Sequence, residues 1–311
     1  MAITAAMIKE LRELTGAGMS TCKEALVEAD GNIEKAIEVL REKGQAAAVK
    51  KAGRIASEGL SLAYITEDKK VGVVVEVNSE TDFVAKNSEF QSFVKSVAKH
   101  AANSKAKDID GLMEEKWIED ETITVKEALT QKIAVIGENL NIRRFSRFVN
   151  EGNGYMVSYM HAGGKVAVLV EFETDTNSDK LEEAGKNVAM QVAAMNPRFK
   201  TKSDVPEEFI SKEKEILTQQ TENDPKCAGK NEKAIENIIT GRLNKELKEM
   251  CLVDQEYVKN DKMTVSQYID SVAKEIGGNI SIKGFIRFET GEGLEKKEEN
   301  FAEEVSKTMG N

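Results

Sequence analysis

Aromatic side chains make up only 5% of the 311 residues, with a single Trp, and the chain has two His, three Cys and three Pro. Each scarcity removes a class of function. With His100 and His161 as the only imidazoles, a histidine metal site or a His-centred catalytic relay has little to draw on. Cys22, Cys227 and Cys251 are odd in number, far apart and free of CxxC spacing, which predicts reduced thiols rather than a disulfide framework or a zinc site. Apolar runs are short: Val71 to Val77 falls far below the roughly 20 residues that cross a bilayer. The Met1 end shows neither an Arg-rich presequence nor the apolar core of a signal peptide, so a cytoplasmic protein without membrane contact is expected. GxGxxG, GxxxxGKS/T and GxSxG are all missing, and nothing reads as a nucleotide-binding or hydrolytic enzyme.

What is present is a folded, acidic chain, 40% hydrophobic, with 44 Lys and Arg against 54 Asp and Glu. The first 56 residues read as three short amphipathic helices. Thr4 caps a helix carrying Met7, Leu11 and Leu14, and Gly16 and Gly18 interrupt it. Thr21 with Glu24 has the capping-box pattern ahead of Cys22, Ala25, Leu26 and Ala29, and Asp30-Gly31-Asn32 resets the chain for Ile33, Ala36, Ile37 and Leu40. Residues 43–56, Ala-rich and basic without an acid, read as a solvated helical linker.

The remainder repeats itself. GLSLAYITEDKKVGVVVEVNSETDF from Gly59 matches GYMVSYMHAGGKVAVLVEFETDTNS from Gly154 at an offset of 95, and TVKEALTQKIAVIGENLNIRRFSRF from Thr124 matches TVSQYIDSVAKEIGGNISIKGFIRF from Thr264 at 140. Each copy reads as strand, turn, strand, helix, helix, strand, with strands that alternate as in sheets with one covered face. This predicts an α+β protein of two related subdomains, 57–150 and 151–290, each with helices stacked on a three-stranded antiparallel sheet. The difference between the offsets leaves 45 extra residues in the second copy, and Pro197, Pro206 and Pro225 all lie at their front. Apolar spacing on either side of Asp224-Pro225 predicts an antiparallel helical hairpin, a short coiled coil, within about 197–250, and a helical module closes the chain over 291–311.

Between the second strand and first helix of copy one lies Ser79-Glu80-Thr81-Asp82-Phe83-Val84. A plain loop, capped by Thr81 or Asp82 with Phe83 tucked inward, is one reading. Copy two closes the same loop with Thr176, Asn177 and Ser178, so a Phe its twin does without is free to face a partner.

TGAGMSTCKEAL at 15–26, SETDFVAKNSEF at 79–90, IGENLNIRRF at 136–145, SYMHAGGKVAVLV at 158–170 and GFIRFETGEGLEK at 284–296 closely resemble the bacterial translation elongation factor Ts family, in the family's order and over essentially the whole chain. The resemblance implies a non-enzymatic guanine nucleotide exchange factor for elongation factor Tu, binding its GDP-bound and nucleotide-free forms, with no cofactor. It implies a UBA-like N-terminal module over 1–56. It implies that Thr81, Asp82, Phe83 and Val84 push against the GTPase domain of Tu and dislodge its Mg²⁺, supported by Ile136 and Gly137. By the same resemblance Arg12, Met19 and Lys23 dock on a helix of that domain and His161 faces the third domain. Read without it, Ile136-Gly137 is a buried Ile before a Gly turn and His161 is a polar hairpin tip. The competing reading is an RNA-binding protein using Arg143-Arg144-Phe145-Ser146-Arg147-Phe148, where bases and aromatics interleave on a strand. The net charge of −10 and the retention of both Phe in Lys283-Gly284-Phe285-Ile286-Arg287-Phe288 count against direct nucleic-acid binding.

Overall fold

A computed structural model describes residues 3–176 and 178–296. The N-terminal unit is three helices, α1 (Ala5–Thr15), α2 (Met19–Glu28) and α3 (Ile33–Lys51). Thr4 starts α1 by accepting the Met7 N–H at 3.3 Å, and Gly16, at φ 70°, ends it in a conformation that favours a residue without Cβ. Leu11, Cys22, Ala25, Leu26 and Ala36 form a small core. Two expectations are corrected here. Thr21 and Glu24 make no capping box: α2 begins at Met19 with the extended Gly18 as its cap, so Thr21 already lies inside the helix. Residues 43–51 are helical and largely exposed as expected, but they are no separate linker: α3 runs on to Lys51 and packs one side against α7 (Val125–Ile136). Gly44 marks the contact, since a Cβ there would stand 3.3 Å from the Ala134 methyl.

Two three-stranded antiparallel sheets follow, making the protein α+β. The first has the order β1 (Glu58–Ile65), β2 (Val71–Ser79), β5 (Asn141–Val149); the second places β7 (Val166–Thr174) between β6 (Gly154–His161) and β10 (Ile280–Glu289). On one face of the first sheet, Val73, Val75 and Val77 meet Phe90, Phe93, Val94 and Val97 of α5 (Ser88–Asn103), with α6 (Ile109–Glu114) and α7 beside it. In the second sheet Val168, Val170 and Phe172 meet Leu181, Ala184, Val188 and Val192 of α8 (Asp179–Met195), flanked by α11 (Val265–Ile276). The opposite faces, expected to be uncovered, pack on each other: Val74 and Phe148 meet Met156, Ala167, Leu169 and Ile286. Burial on both sides explains why β2 is a nearly unbroken apolar run rather than an alternating one.

Each sheet unit also carries a two-stranded hairpin that the sequence reading missed, β3 (Lys116–Trp117) with β4 (Asp120–Thr124) and β8 (Glu256–Tyr257) with β9 (Asn260–Thr264). Strands of two to five residues carry too little alternation to detect. Between α8 and β8 stand α9 (Glu207–Glu222) and α10 (Glu232–Met250). Phe209 and Ile210, early in α9, pack with Leu243 and Leu247, late in α10, so the helices run antiparallel. At their base Arg198 and Phe199 donate to the Met250 carbonyl at 2.9 and 3.1 Å. No described helix is long and apolar enough to cross a membrane. The helical module expected over 291–311 falls, beyond Lys296, outside the described residues.

Candidate partner-binding site

At the end of β2 the chain makes one helical turn, α4 (Asp82–Ala85), and stops. Thr81 caps it by accepting the Val84 N–H at 3.4 Å, and Asn87 then caps α5 by accepting the Glu89 N–H at 2.7 Å. Two caps this close break what would otherwise be one helix. Phe83 sits on the isolated turn and is 79% exposed, the reverse of the tucked-in alternative. Beside it Lys86 reaches Asp82 at 2.6 Å and lies 5.9 Å from the Phe83 ring centroid. The Lys86 hydrogen bond holds the Asp82 carboxyl below its ordinary range, and the charge of Lys165 adds to the effect. Val84 packs against the first core and Thr81 is spent on local bonds. Of the four residues, Phe83 is the one that projects, with the part-exposed Asp82 beside it.

The turn is held from behind by a neighbouring loop. Glu138 Oε2 accepts the Glu80 and Thr81 N–H groups at 3.1 and 3.0 Å, and its Oε1 accepts the Thr81 hydroxyl at 2.7 Å. Glu80 answers by accepting the Asn139 N–H at 2.6 Å, and Asn139 donates onward to the Arg54 carbonyl at 2.8 Å. The sequence alone assigned no role to Glu80 or Glu138, although both lie in its quoted motifs. The repeat held a signal, since the position that pairs with Glu138 at the offset of 140 is Gly278.

Glu138 follows Ile136 and Gly137 at the end of α7, where Gly137 takes the left-handed conformation (φ 86°) and Ile136 packs against the first core. The local reading of this pair, an inward Ile before a Gly turn, describes their geometry. One residue earlier, Val135 lies 3.7 Å from where a Gly16 Cβ would be, and Glu89 of α5 lies 3.8 Å from it. The α1–α2 elbow therefore sits against the same corner of the core. Arg12 and Lys23 are exposed on these helices, and Met19 is 47% exposed among them. His161 is also exposed, at the end of β6, where its Nδ1 meets the Tyr159 hydroxyl at 3.1 Å. Lys165, just past that turn, pairs with Glu58 of β1 at 2.7 Å and ties the second hairpin to the first sheet.

The basic strand 143–148 is engaged internally. Arg143 and Arg144 donate to Glu76 at 3.0 and 2.6 Å, and Arg147 donates to the carbonyls of Ala101, Ser104 and Ala106. Phe145 packs on the helix side of the sheet and Phe148 between the sheets. The RNA-reading alternative thus loses both its cations and its stacking rings. His100, in the last turn of α5, is buried, stacked on Trp117 at 5.5 Å and 3.0 Å from Glu115. Burial pushes its pKa below the ordinary value although Glu115 opposes this. Among the described residues no group of three or more His, Cys, Asp and Glu is arranged to hold a metal.

Comparison with known proteins adds the family context. Residues 80–292 match the family described as Elongation factor TS, and residues 4–47 match a UBA-like domain. The chain is 53% identical over 307 residues to the elongation factor Ts of Clostridium novyi, covering 99% of each chain. The proteins of that name from Clostridium tetani and Clostridioides difficile are 53% and 51% identical, again over 99% of each chain.

Proposed function

Because the chain belongs to the elongation factor Ts family, we propose that it is a guanine nucleotide exchange factor for elongation factor Tu, binding Tu·GDP and releasing GDP so that GTP can enter. The observation that carries this reading is Phe83, a large aromatic side chain 79% exposed on a turn that the rest of the chain holds in place. Exposed aromatics on a rigid support are effective interface anchors, because little conformational freedom is lost on docking. Phe83 wedges into the GTPase domain, and Asp82 beside it competes for polar groups near the bound Mg²⁺ of the partner. That ion neutralises charge on the nucleotide's phosphates, so displacing it weakens GDP binding.

Exchange of this kind is a coupling between two ligands of Tu: factor and GDP lower each other's affinity by the same ratio. Broad contact supplies affinity, and the Phe83 turn supplies the part that competes with GDP. We assign the broad contact to the N-terminal module over 1–56, through Arg12, Met19 and Lys23, to Ile136 and Gly137, and to His161 on the second sheet unit. The two sheet units, 57–150 and 151–290, are read as a duplicated core, and α9–α10 as a coiled-coil insertion that reaches toward the partner.

The test is to add the protein to Tu carrying a fluorescent GDP and follow release by stopped flow. Release should accelerate steeply with the wild-type protein. With Phe83→Ala the maximal acceleration should fall by about tenfold or more, the scale of an aromatic hot spot. Unchanged release in that variant would overturn the mechanism.

A further inference from the structure

We propose that Glu138 is a positioning residue for exchange: its carboxylate fixes the backbone at Glu80 and Thr81 and so aims Phe83, without itself entering the interface. The proposal rests on the reading of Phe83 as the exchange element. Its basis is a difference between two loops of one fold.

The second sheet unit shows what the fold needs in order to close this loop. Asp175, in the place of Glu80, accepts the Asn279 N–H and side-chain amide at 2.8 and 2.7 Å. Thr174, in the place of Ser79, donates to the Thr176 carbonyl at 3.1 Å, just as Ser79 donates to the Thr81 carbonyl at 3.0 Å. These two bonds recur in both units, and in the second the Thr174 hydroxyl oxygen also accepts the Thr176 N–H at 3.2 Å, the N–H whose counterpart at Thr81 goes to Glu138. The Glu138 position is Gly278, and a Cβ there would stand 2.8 Å from Thr176 Cγ2 and 2.9 Å from Asp175 Oδ1. The second loop therefore has no room for the carboxylate that the first loop adds.

What Glu138 adds is directed at the turn. Its three acceptor bonds go to Glu80 and Thr81, the two residues that precede Asp82 and Phe83. By accepting the hydrogen bond that the Thr81 hydroxyl donates, Glu138 also leaves the lone pairs of that oxygen for the Val84 N–H, which is the cap of α4. A helix of one turn has no cooperative stability of its own, and Phe83, being exposed, contributes no packing to hold it. The aim of the ring then depends on the bonds behind it, and positioning errors near one ångström can lower a rate by orders of magnitude.

The experiment compares wild type, Glu138→Gly, Glu138→Gln, Phe83→Ala and the double variant Glu138→Gly/Phe83→Ala in stopped-flow release of fluorescent GDP from Tu. Glu138→Gly should lower the maximal release rate by about tenfold, with the factor concentration at half-maximal rate changing far less. Glu138→Gln keeps an acceptor for the two backbone N–H groups and should recover most of that loss. In the Phe83→Ala background Glu138→Gly should have no further effect. Amide hydrogen exchange should quicken at Glu80, Thr81 and Val84 in Glu138→Gly, with the α7 amides protected as before.

A wild-type release rate in Glu138→Gly, beside a slow Phe83→Ala, would overturn the positioning role and leave the exchange reading intact. An equal loss from Glu138→Gly with and without Phe83 would also overturn it, since Glu138 would then act independently of the ring. A wild-type rate in Phe83→Ala would remove the exchange reading itself and this proposal with it.

Discussion

The two sheet units solve the same packing problems with different residues, and the differences separate what folds the chain from what the first unit carries in addition. Both central strands bury a glutamate, Glu76 and Glu171, and in both the edge strand bulges by one residue to turn a cation onto it. In the second unit that cation is Lys283, 2.9 Å from Glu171 and half exposed. In the first, Arg143 and Arg144 both reach Glu76, joined by Asn78 and by the Gly291 N–H at 2.8 Å, which arrives from the end of the second sheet. The second pair serves its own sheet, whereas the first also joins the two units. Volume is exchanged in the same manner. Phe90 and Val77 fill the space between helix and sheet in the first unit where the second uses Gly185 and Phe172.

The Glu76 cluster offers the strongest way to break the comparison. Glu76→Ala leaves two arginines without their buried counter-charge and should cost about 3–5 kcal/mol in denaturant unfolding. Glu171→Ala, which strands only a half-exposed lysine, should cost clearly less. Equal losses would show that Glu76 does not couple the units. Burial raises the Glu76 pKa, but the bonds from Gly291, Asn78 and Arg143 outweigh it and leave the pKa below the ordinary 4.5. Its contribution is therefore complete above about pH 4.5 and is lost as pH falls through the lower folded value. Glu76→Gln should flatten that part of the acid-unfolding curve.

Next in size is a graft of the second loop's residues onto the first, Asp82→Asn with Phe83→Ser. The unfolding midpoint should move little, because Phe83 is exposed and Ser is the residue its counterpart position already holds. Stimulated GDP release should fall by about tenfold or more, as for loss of an aromatic hot spot. A graft that preserves release would show that the loops are functionally equal. Smaller still is the volume exchange. Gly185→Ala would place a Cβ 2.4 Å from Val157 Cγ2, and Gly72→Ala would place one 2.7 Å from Leu169 and Met156, although Ala167 occupies the position matching Gly72. Each should cost about 1–3 kcal/mol by overpacking, read from the shift in denaturant midpoint. A neutral Gly72→Ala would mean that the space between the sheets is not filled.

Much of this was legible in the residues because it was written twice. The caps at Thr124 and Thr264, the central strands and the four Phe of the edge strands all repeat at fixed offsets, and the structure places them in equivalent elements. What stayed hidden depends on contacts between parts remote in sequence. The run of Val71 to Val77 is that of a strand covered on both faces, but it does not say that the second sheet is the cover, and nothing in residues 43–51 says that α7 lies against them. Glu138 was hidden for the same reason, since its three donors lie 57 and 58 residues away. Thr21 was misread because its capping pattern is local and real, but the Gly16–Gly18 turn starts the helix earlier.

The smallest expected effect concerns a junction that titrates in one unit and not in the other. Behind the first sheet's helix, His100 stacks on Trp117 and meets Glu115; the position matching Glu115 is Gln255, which pairs with Gln191 at 3.1 Å, a neutral amide contact. Burial works against ionisation of Glu115, but bonds from Ser104, Lys105 and His100 still hold its pKa below the ordinary value, so it stays a carboxylate near neutral pH. Burial depresses His100, so the unfolded chain takes up the proton first. Stability from a neutral His100 is then complete above about pH 6.5 and is lost as pH falls through its lower folded value. Denaturant unfolding followed by the fluorescence of Trp117, the only tryptophan, should show a midpoint that declines over this window in wild type and is flatter in His100→Gln. Identical slopes in the two proteins would show that His100 titrates alike in the folded and unfolded chains, and the two junctions would then differ in residues but not in behaviour.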